Sequence, residues 1–137
     1  AALTTCAEQD EHLNELLSLL DRTNVVRPQD HIFLYIYLLR NYRTRERTVK
    51  WLTEHWDFVV QLTGDKSVED YARYAANLIR TPAEAQIFYN FFDQKSDDPI
   101  LARTLKIAHA EIDARLRLIE TNHAEVEAKL KELTKGA

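Results

Sequence analysis

The sequence predicts an all-α fold, and three observations carry that prediction. Its 137 residues include only two glycines and three prolines, too few turn formers for a chain of many short strands. Apolar residues recur at helical spacing in one segment after another. Start signals, a cap or an early proline followed by an acid, precede most of those segments. Together they predict six or seven helices with short loops, packed as antiparallel hairpins stacked in a HEAT-like α-solenoid. No repeated sequence is present, so the solenoid is an architectural expectation rather than a detected repeat.

The organising stretch is Val26 to Phe58, which holds the longest apolar run, Ile32 to Leu39, and both tryptophans, Trp51 and Trp56. Run length alone does not separate a buried strand from a buried helix. The flanks do. Pro28 suits a first helical turn, where a missing N–H costs nothing, and Asp30 suits the positive end of a helix. The reading is a helix from Pro28 to Arg40, a turn over Asn41 to Thr44, and a second helix to about Leu62. In the second helix Val49, Leu52, Trp56 and Val59 share one stripe, with Trp51 beside it. So short a turn implies antiparallel helices, with Trp56 buried between them.

Before this hairpin, Glu8, Asp10 and Glu11 suit a helix N-terminus. Leu13, Leu16, Leu17 and Leu20 follow as its apolar face, ending near Asp21 or Arg22. The opening AALTTC has no initiator methionine and no cap, and reads as the end of a cut helix. The expectation is therefore a single helical domain over residues 1–137 that is a C-terminal fragment of a larger protein. Gly64 closes the hairpin, and Ser67 with Asp70 is a capping pair for the next helix, faced by Val68, Tyr71, Ala72, Ala75 and Leu78. Thr81, Pro82 and Glu84 combine cap, first-turn proline and N3 acid. Phe88, Phe91 and Phe92 load that helix with aromatic surface. Asp98 and Pro99 open the longest helix, to about Glu120, on a stripe of Leu101, Leu105, Ala108, Ile112, Leu116 and Ile119. Asn122 with Glu125 opens a last one carrying Val126, Leu130 and Leu133. Glu125 to Lys129 and Glu127 to Lys131 are its favourable i,i+4 pairs.

Composition is that of an ordinary soluble domain, 45% hydrophobic and 29% charged. No signal peptide and no run of eighteen apolar residues occurs, so no membrane partner is expected. One cysteine, Cys6, forms no internal disulfide and is compatible with a reducing compartment. A net charge of −4 gives no general attraction to nucleic acid. The local exception is Arg40, Arg43, Arg45, Arg47 and Lys50 with Tyr42 and Trp51 beside them, a pattern that suits either a phosphate backbone or a solvated turn. The solvated turn is the expected reading.

Chemistry is sparse. The five histidines include no pair four residues apart, so there is no HExxH. Glu120 and His123 form one Glu-x-x-His, where a di-iron bundle needs two. There is no glycine-rich phosphate loop and no GxSxG elbow. No catalytic residue and no metal ligand is assigned within the chain.

The motif VRPQD, then Asn41, Arg45 and the EHW of Glu54, His55 and Trp56, resembles the C-terminal helical domain of aminopeptidase N family zinc metallopeptidases, lactic-acid-bacterial members above all. RYAAN at Arg73 to Asn77, Phe91–Phe92, and Ile112 with Ala114 and Arg115 continue in register, and Val126 to Leu130 fits the family's closing helix. Val49 and Leu118 depart from it, standing where such helices carry tryptophan. The resemblance implies that the complete enzyme is cytoplasmic and removes N-terminal residues from peptides. It does so with zinc held by HExxH and a distant glutamate, and with a GxMEN motif for the substrate's amino end. None of these motifs is in this chain, so zinc belongs to the catalytic domain. The implied role here is a non-catalytic cover on that domain, which shapes the substrate chamber. Arg27, Gln29 and Asp30 match the family's R-x-Q-D, either as peptide contacts or as a helix start. Asn41, Arg45, Trp51 and Trp56 are its hairpin residues. The rival classes are a free-standing scaffold for a protein or peptide partner and an RNA-binding helical module.

Overall fold

Pro28 stands at the first position of a helix that runs Pro28–Arg40 and ends at Asn41, whose extended backbone opens the turn. A computed structural model describes residues 4, 6–64 and 67–136 and shows an all-α chain. Its helices are α1 Asp10–Ser18, α2 Pro28–Arg40, α3 Arg45–Glu54, α4 Trp56–Thr63, α5 Val68–Leu78, α6 Pro82–Phe92 and α7 Ala102–Lys135. Short 3-10 turns follow α1 and α6, at Leu19–Asp21 and Asp93–Lys95. Most of the AALTTC segment lies outside the described residues.

Seven helices are found among the described residues, but two boundaries differ from expectation in opposite directions. The second hairpin helix is two helices, because His55 leaves helical geometry at φ −117° and ψ 24°. Its Nδ1 and its backbone N–H both reach the Trp51 carbonyl, at 3.0 and 2.9 Å. That double use of one acceptor holds the residue in the break. The stripe survives it, since Val49, Leu52, Trp56 and Val59 are all buried.

The last two expected helices are one. Asn122 does not cap a new helix; its Nδ2 donates back to the Leu118 carbonyl at 2.7 Å, so α7 continues for 34 residues. Lys131 with Glu127 and Lys129 with Glu132 pair along its exposed side, whereas the expected partner of Lys129 was Glu125. The start also shifts. Asp98 accepts the Ile100 N–H at 2.9 Å in a local turn around Pro99, and α7 begins at Ala102.

Capping signals divide in the same way. Thr81 and Glu84 form the complete reciprocal box at the start of α6. Ser67 precedes α5 without a side-chain cap, and Asp70 pairs with Arg73 at 2.8 Å instead. Gly64 ends α4 at φ 68° and ψ 171°, a region that essentially only glycine occupies.

Helix α2 packs on α3 and α5, α3 on α6, and α5 on the first half of α7. Tyr35, Leu38, Leu52, Tyr71, Phe88, Phe92 and Ile112 fill the shared core. Beyond Leu116 the stripe of α7 runs into solvent: Leu118, Val126, Leu130 and Leu133 are exposed. No described helix is long and apolar enough to cross a membrane.

Candidate functional site

Arg27, Gln29 and Asp30 lie at the entrance of α2. Arg27 is the extended residue before the helix, and its guanidinium grips Asp30 one turn on, Nη2 to Oδ2 at 2.6 Å. Both side chains are exposed, so the pair steers the helix start and adds little stability of its own. Gln29 has another setting. With Pro28 and Ile32 it lines a groove of about 330 Å³, closed on the far side by Leu62, Asp70 and Tyr71. The groove lies where α2 begins, α4 ends and α5 begins.

Tyr71 carries this groove on a buried polar network. His31 is fully buried, with Nε2 2.8 Å from the Leu20 carbonyl and Nδ1 2.9 Å from the Tyr71 hydroxyl. A carbonyl only accepts, so Nε2 holds the proton and Nδ1 accepts from Tyr71. Tyr35 in turn donates to the Tyr71 carbonyl at 2.9 Å. Burial lowers the His31 pKa below its ordinary value, and burial raises both tyrosines above theirs. The network is therefore neutral at physiological pH. It joins the 3-10 turn after α1 to α2 and α5, and fixes the groove floor.

The hairpin residues act on the backbone. Asn41 is buried; its Nδ2 donates to the carbonyls of Thr4 and Ala7 at 2.9 and 2.8 Å, while Oδ1 accepts the Arg43 N–H at 3.0 Å. Arg45 Nε donates to the Leu39 carbonyl at 2.8 Å and Nη2 reaches that of Arg40 at 3.5 Å, satisfying groups freed at the end of α2. Its Nη1 lies 3.8 Å from the buried Glu84 of α6.

Both tryptophans are buried, as expected of Trp56, and Trp51 is the one whose ring meets aromatic side chains of α2. It packs against His31 and Tyr35 of α2, stacks on His55 at 5.1 Å, and donates Nε1–H to Asp21 at 2.8 Å. Trp56 is buried against α6, edge-on to Phe92 with ring centroids 5.1 Å apart. The one-residue break at His55 turns α4 and brings Trp56 to that neighbour.

Each member of the basic cluster has a partner within the chain. Arg43 holds the Glu8 carbonyl and Asp10, Arg47 holds Asn14, Lys50 faces Glu54, and Arg40 lies over the Tyr37 ring. Among the described residues no three His, Cys, Asp or Glu side chains converge to hold a metal ion, and His123 of the Glu-x-x-His faces Glu127 instead.

Two features of this region were absent from the sequence reading. The His31–Tyr71 bond spans forty positions. Only the placement of His31 on the apolar side of α2, in phase with Leu34, Tyr35 and Leu38, hints at its burial. The Arg45–Glu84 pair has no local signal at all.

The model of the ERAP1-like C-terminal domain matches residues 1–114. The chain belongs to that family. Among proteins similar to it is an aminopeptidase N of Lactococcus lactis subsp. lactis (strain IL1403), 30% identical over 128 residues, which is 93% of this chain and 15% of that protein. An aminopeptidase N of Lactococcus lactis subsp. cremoris (strain MG1363) is 30% identical over 115 residues, 83% of this chain and 14% of the relative. An aminopeptidase N of Lactobacillus helveticus is 30% identical over 101 residues, 73% of this chain and 12% of its own length. The chain thus spans about 15% of the curated relatives it matches, in their C-terminal part. No solved structure matches. As an ERAP1-like C-terminal domain, the chain agrees in family with the resemblance carried by VRPQD, Asn41, Arg45 and EHW.

Proposed function

We propose that this chain is the non-catalytic C-terminal domain of a cytoplasmic zinc-dependent aminopeptidase that removes N-terminal residues from peptides. The match to aminopeptidase N carries this reading, because it takes in 93% of the chain and only 15% of the relative. On this reading zinc and the catalytic residues belong to the remainder of the parent polypeptide. The helical domain, stacked as a HEAT-like solenoid, closes over them and shapes the chamber that admits peptide. The groove beside Gln29 is the part of the VRPQD region open to a peptide. The exposed apolar residues of α7 supply surface for the catalytic portion.

The test is the reading frame and its product. An HExxH encoded in frame upstream of Ala1 supports the proposal, and a start codon immediately before Ala1 overturns it. Purified parent enzyme should release N-terminal residues, and deleting residues 1–137 should change its preference among peptides of different length. The 137-residue chain alone should turn over no aminoacyl substrate with or without zinc.

A further inference from the structure

The segment that leads into α1 is held by side chains of the turn between α2 and α3. Asn41 Nδ2 donates to the carbonyls of Thr4 and Ala7 at 2.9 and 2.8 Å, and Arg43 Nη1 donates to that of Glu8. Arg43 Nη2 adds Asp10, the first residue of α1, at 2.8 Å. These donors stand 33 to 37 positions from their acceptors. The Asn41 amide is used completely, because its Oδ1 accepts the Arg43 N–H at 3.0 Å. That bond fixes which way the amide faces and aims both Nδ2 hydrogens at the segment.

Three of the four acceptors are backbone carbonyls, so these contacts hold the path of the chain rather than particular side chains. Thr4 is buried, but Cys6, Glu8 and Gln9 are exposed, so apolar packing contributes little between them. The exposed Arg43–Asp10 pair is weak by itself. The bonds from Asn41 and Arg43 to carbonyls are therefore the main tether. The turn that carries them is rigid. Thr44 Oγ1 donates to the Leu38 carbonyl at 2.7 Å, and Arg45 ties the same turn to Leu39 of α2 and faces Glu84 of α6. We infer that Asn41 and Arg43 form a clasp that fixes the angle at which the preceding polypeptide enters this domain, and that opening it frees the domain to swing on the segment before α1. The inference rests on the proposed function in requiring a polypeptide ahead of the domain.

Cys6 is the chain's single cysteine and lies exposed on the held segment, so a nitroxide attached there reports on the clasp by electron paramagnetic resonance. The label should give a mainly restricted spectrum in the unsubstituted chain. Asn41→Asp, which sets a carboxylate against two carbonyls, should convert most of it to a mobile one. Arg43→Ala should do the same, and because that side chain is partly exposed it keeps the test decisive where Asn41→Asp fails to fold. Arg47→Ala removes a neighbouring cation that bonds Asn14 instead, and should leave the spectrum unchanged. A mobile label in the unsubstituted chain overturns the inference, as does an unchanged spectrum in Arg43→Ala or equal mobilisation by Arg47→Ala. In the parent enzyme, small-angle X-ray scattering should show a larger radius of gyration for Arg43→Ala than for Arg47→Ala, and equal radii overturn the swing. Neither readout uses peptide turnover, so a parent without aminopeptidase activity counts against the proposed function and not against the clasp.

Discussion

The imidazole of His31 meets the hydroxyl of Tyr71 at 2.9 Å in the core, with its other nitrogen 2.8 Å from the Leu20 carbonyl. This arrangement needs a neutral ring, since a second ring proton would face the Tyr71 hydroxyl and abolish its donation. Burial accordingly lowers the His31 pKa from 6.5. The unfolded chain then binds a proton that the folded chain does not, over the interval between 6.5 and the lower folded value. The contribution is fully present above 6.5 and is lost as pH falls through that interval. Denaturant midpoints should fall between neutral and mildly acidic pH. His31→Gln, which keeps a donor for Leu20, should flatten that part of the profile. An unchanged slope in the variant would assign the acid sensitivity to other groups.

The Thr81–Glu84 box should show an asymmetry. Thr81→Ala removes one cap and should cost about 1 kcal/mol. Glu84→Ala leaves the N–H groups of Arg80 and Thr81 without their acceptor and Arg45 without its partner, and should cost more, about 2–3 kcal/mol. Urea unfolding of both variants checks the order. Equal losses would mean that Glu84 acts only within its own helix.

Trp51 and Trp56 should separate by environment rather than by burial. Trp56→Ala opens a cavity against Phe92 and should cost about 3–5 kcal/mol. Trp51→Phe keeps most of the packing but loses the bond to the half-exposed Asp21, and should cost about 1 kcal/mol. Asp21→Asn should shift the emission of Trp51 and leave that of Trp56 unchanged. Single-tryptophan variants measured by fluorescence distinguish the two.

What the sequence could show was whatever is decided within one turn of helix. Pro28 and Asn41 bound α2 as read, and Thr81, Pro82 and Glu84 start α6 as read, because each signal acts on backbone groups three or four residues away. His55 interrupts a stripe that stays in phase across the break, so periodicity passes over it. Asn122 carries a cap-like signal, but its amide finds the Leu118 carbonyl inside the helix, an alternative that composition does not distinguish. Asp98 shows the same competition between cap and local turn, and Ser67 makes no side-chain cap. At the candidate site, VRPQD located the α2 entrance, and Pro28 and Gln29 proved to be its groove-lining members. The partners beneath it, His31 with Tyr71 and Arg45 with Glu84, come from distant segments and follow only from the packed chain.

For the basic turn the expected result is no RNA binding at physiological ionic strength. A phosphate contact by Arg43 or Arg47 would have to displace Asp10 or Asn14, and a net charge of −4 opposes the approach. Fluorescence anisotropy with a mixed-sequence oligomer measures this. Micromolar binding abolished by Arg43→Ala with Arg47→Ala would restore the nucleic-acid reading.

The two halves of α7 should differ in stability although they form one helix. Leu105, Ala108 and Ile112 are buried against the body, while Leu118, Val126, Leu130 and Leu133 are exposed. Helical segments without tertiary contacts are marginal in water, since nucleation is costly and each added residue contributes little. Amide hydrogens from Leu105 to Ile112 should therefore exchange only on global unfolding, and those beyond Asn122 through local fraying. Leu130→Gln should change the stability of the chain by no more than about 0.5 kcal/mol, whereas Ile112→Ala should cost about 2–5 kcal/mol. In the parent enzyme the proposed contact with the catalytic portion should protect the second half as well, and Leu130→Gln should then weaken that protection. Uniform slow exchange along the whole of α7 in the isolated chain would show that the second half is already covered without a partner.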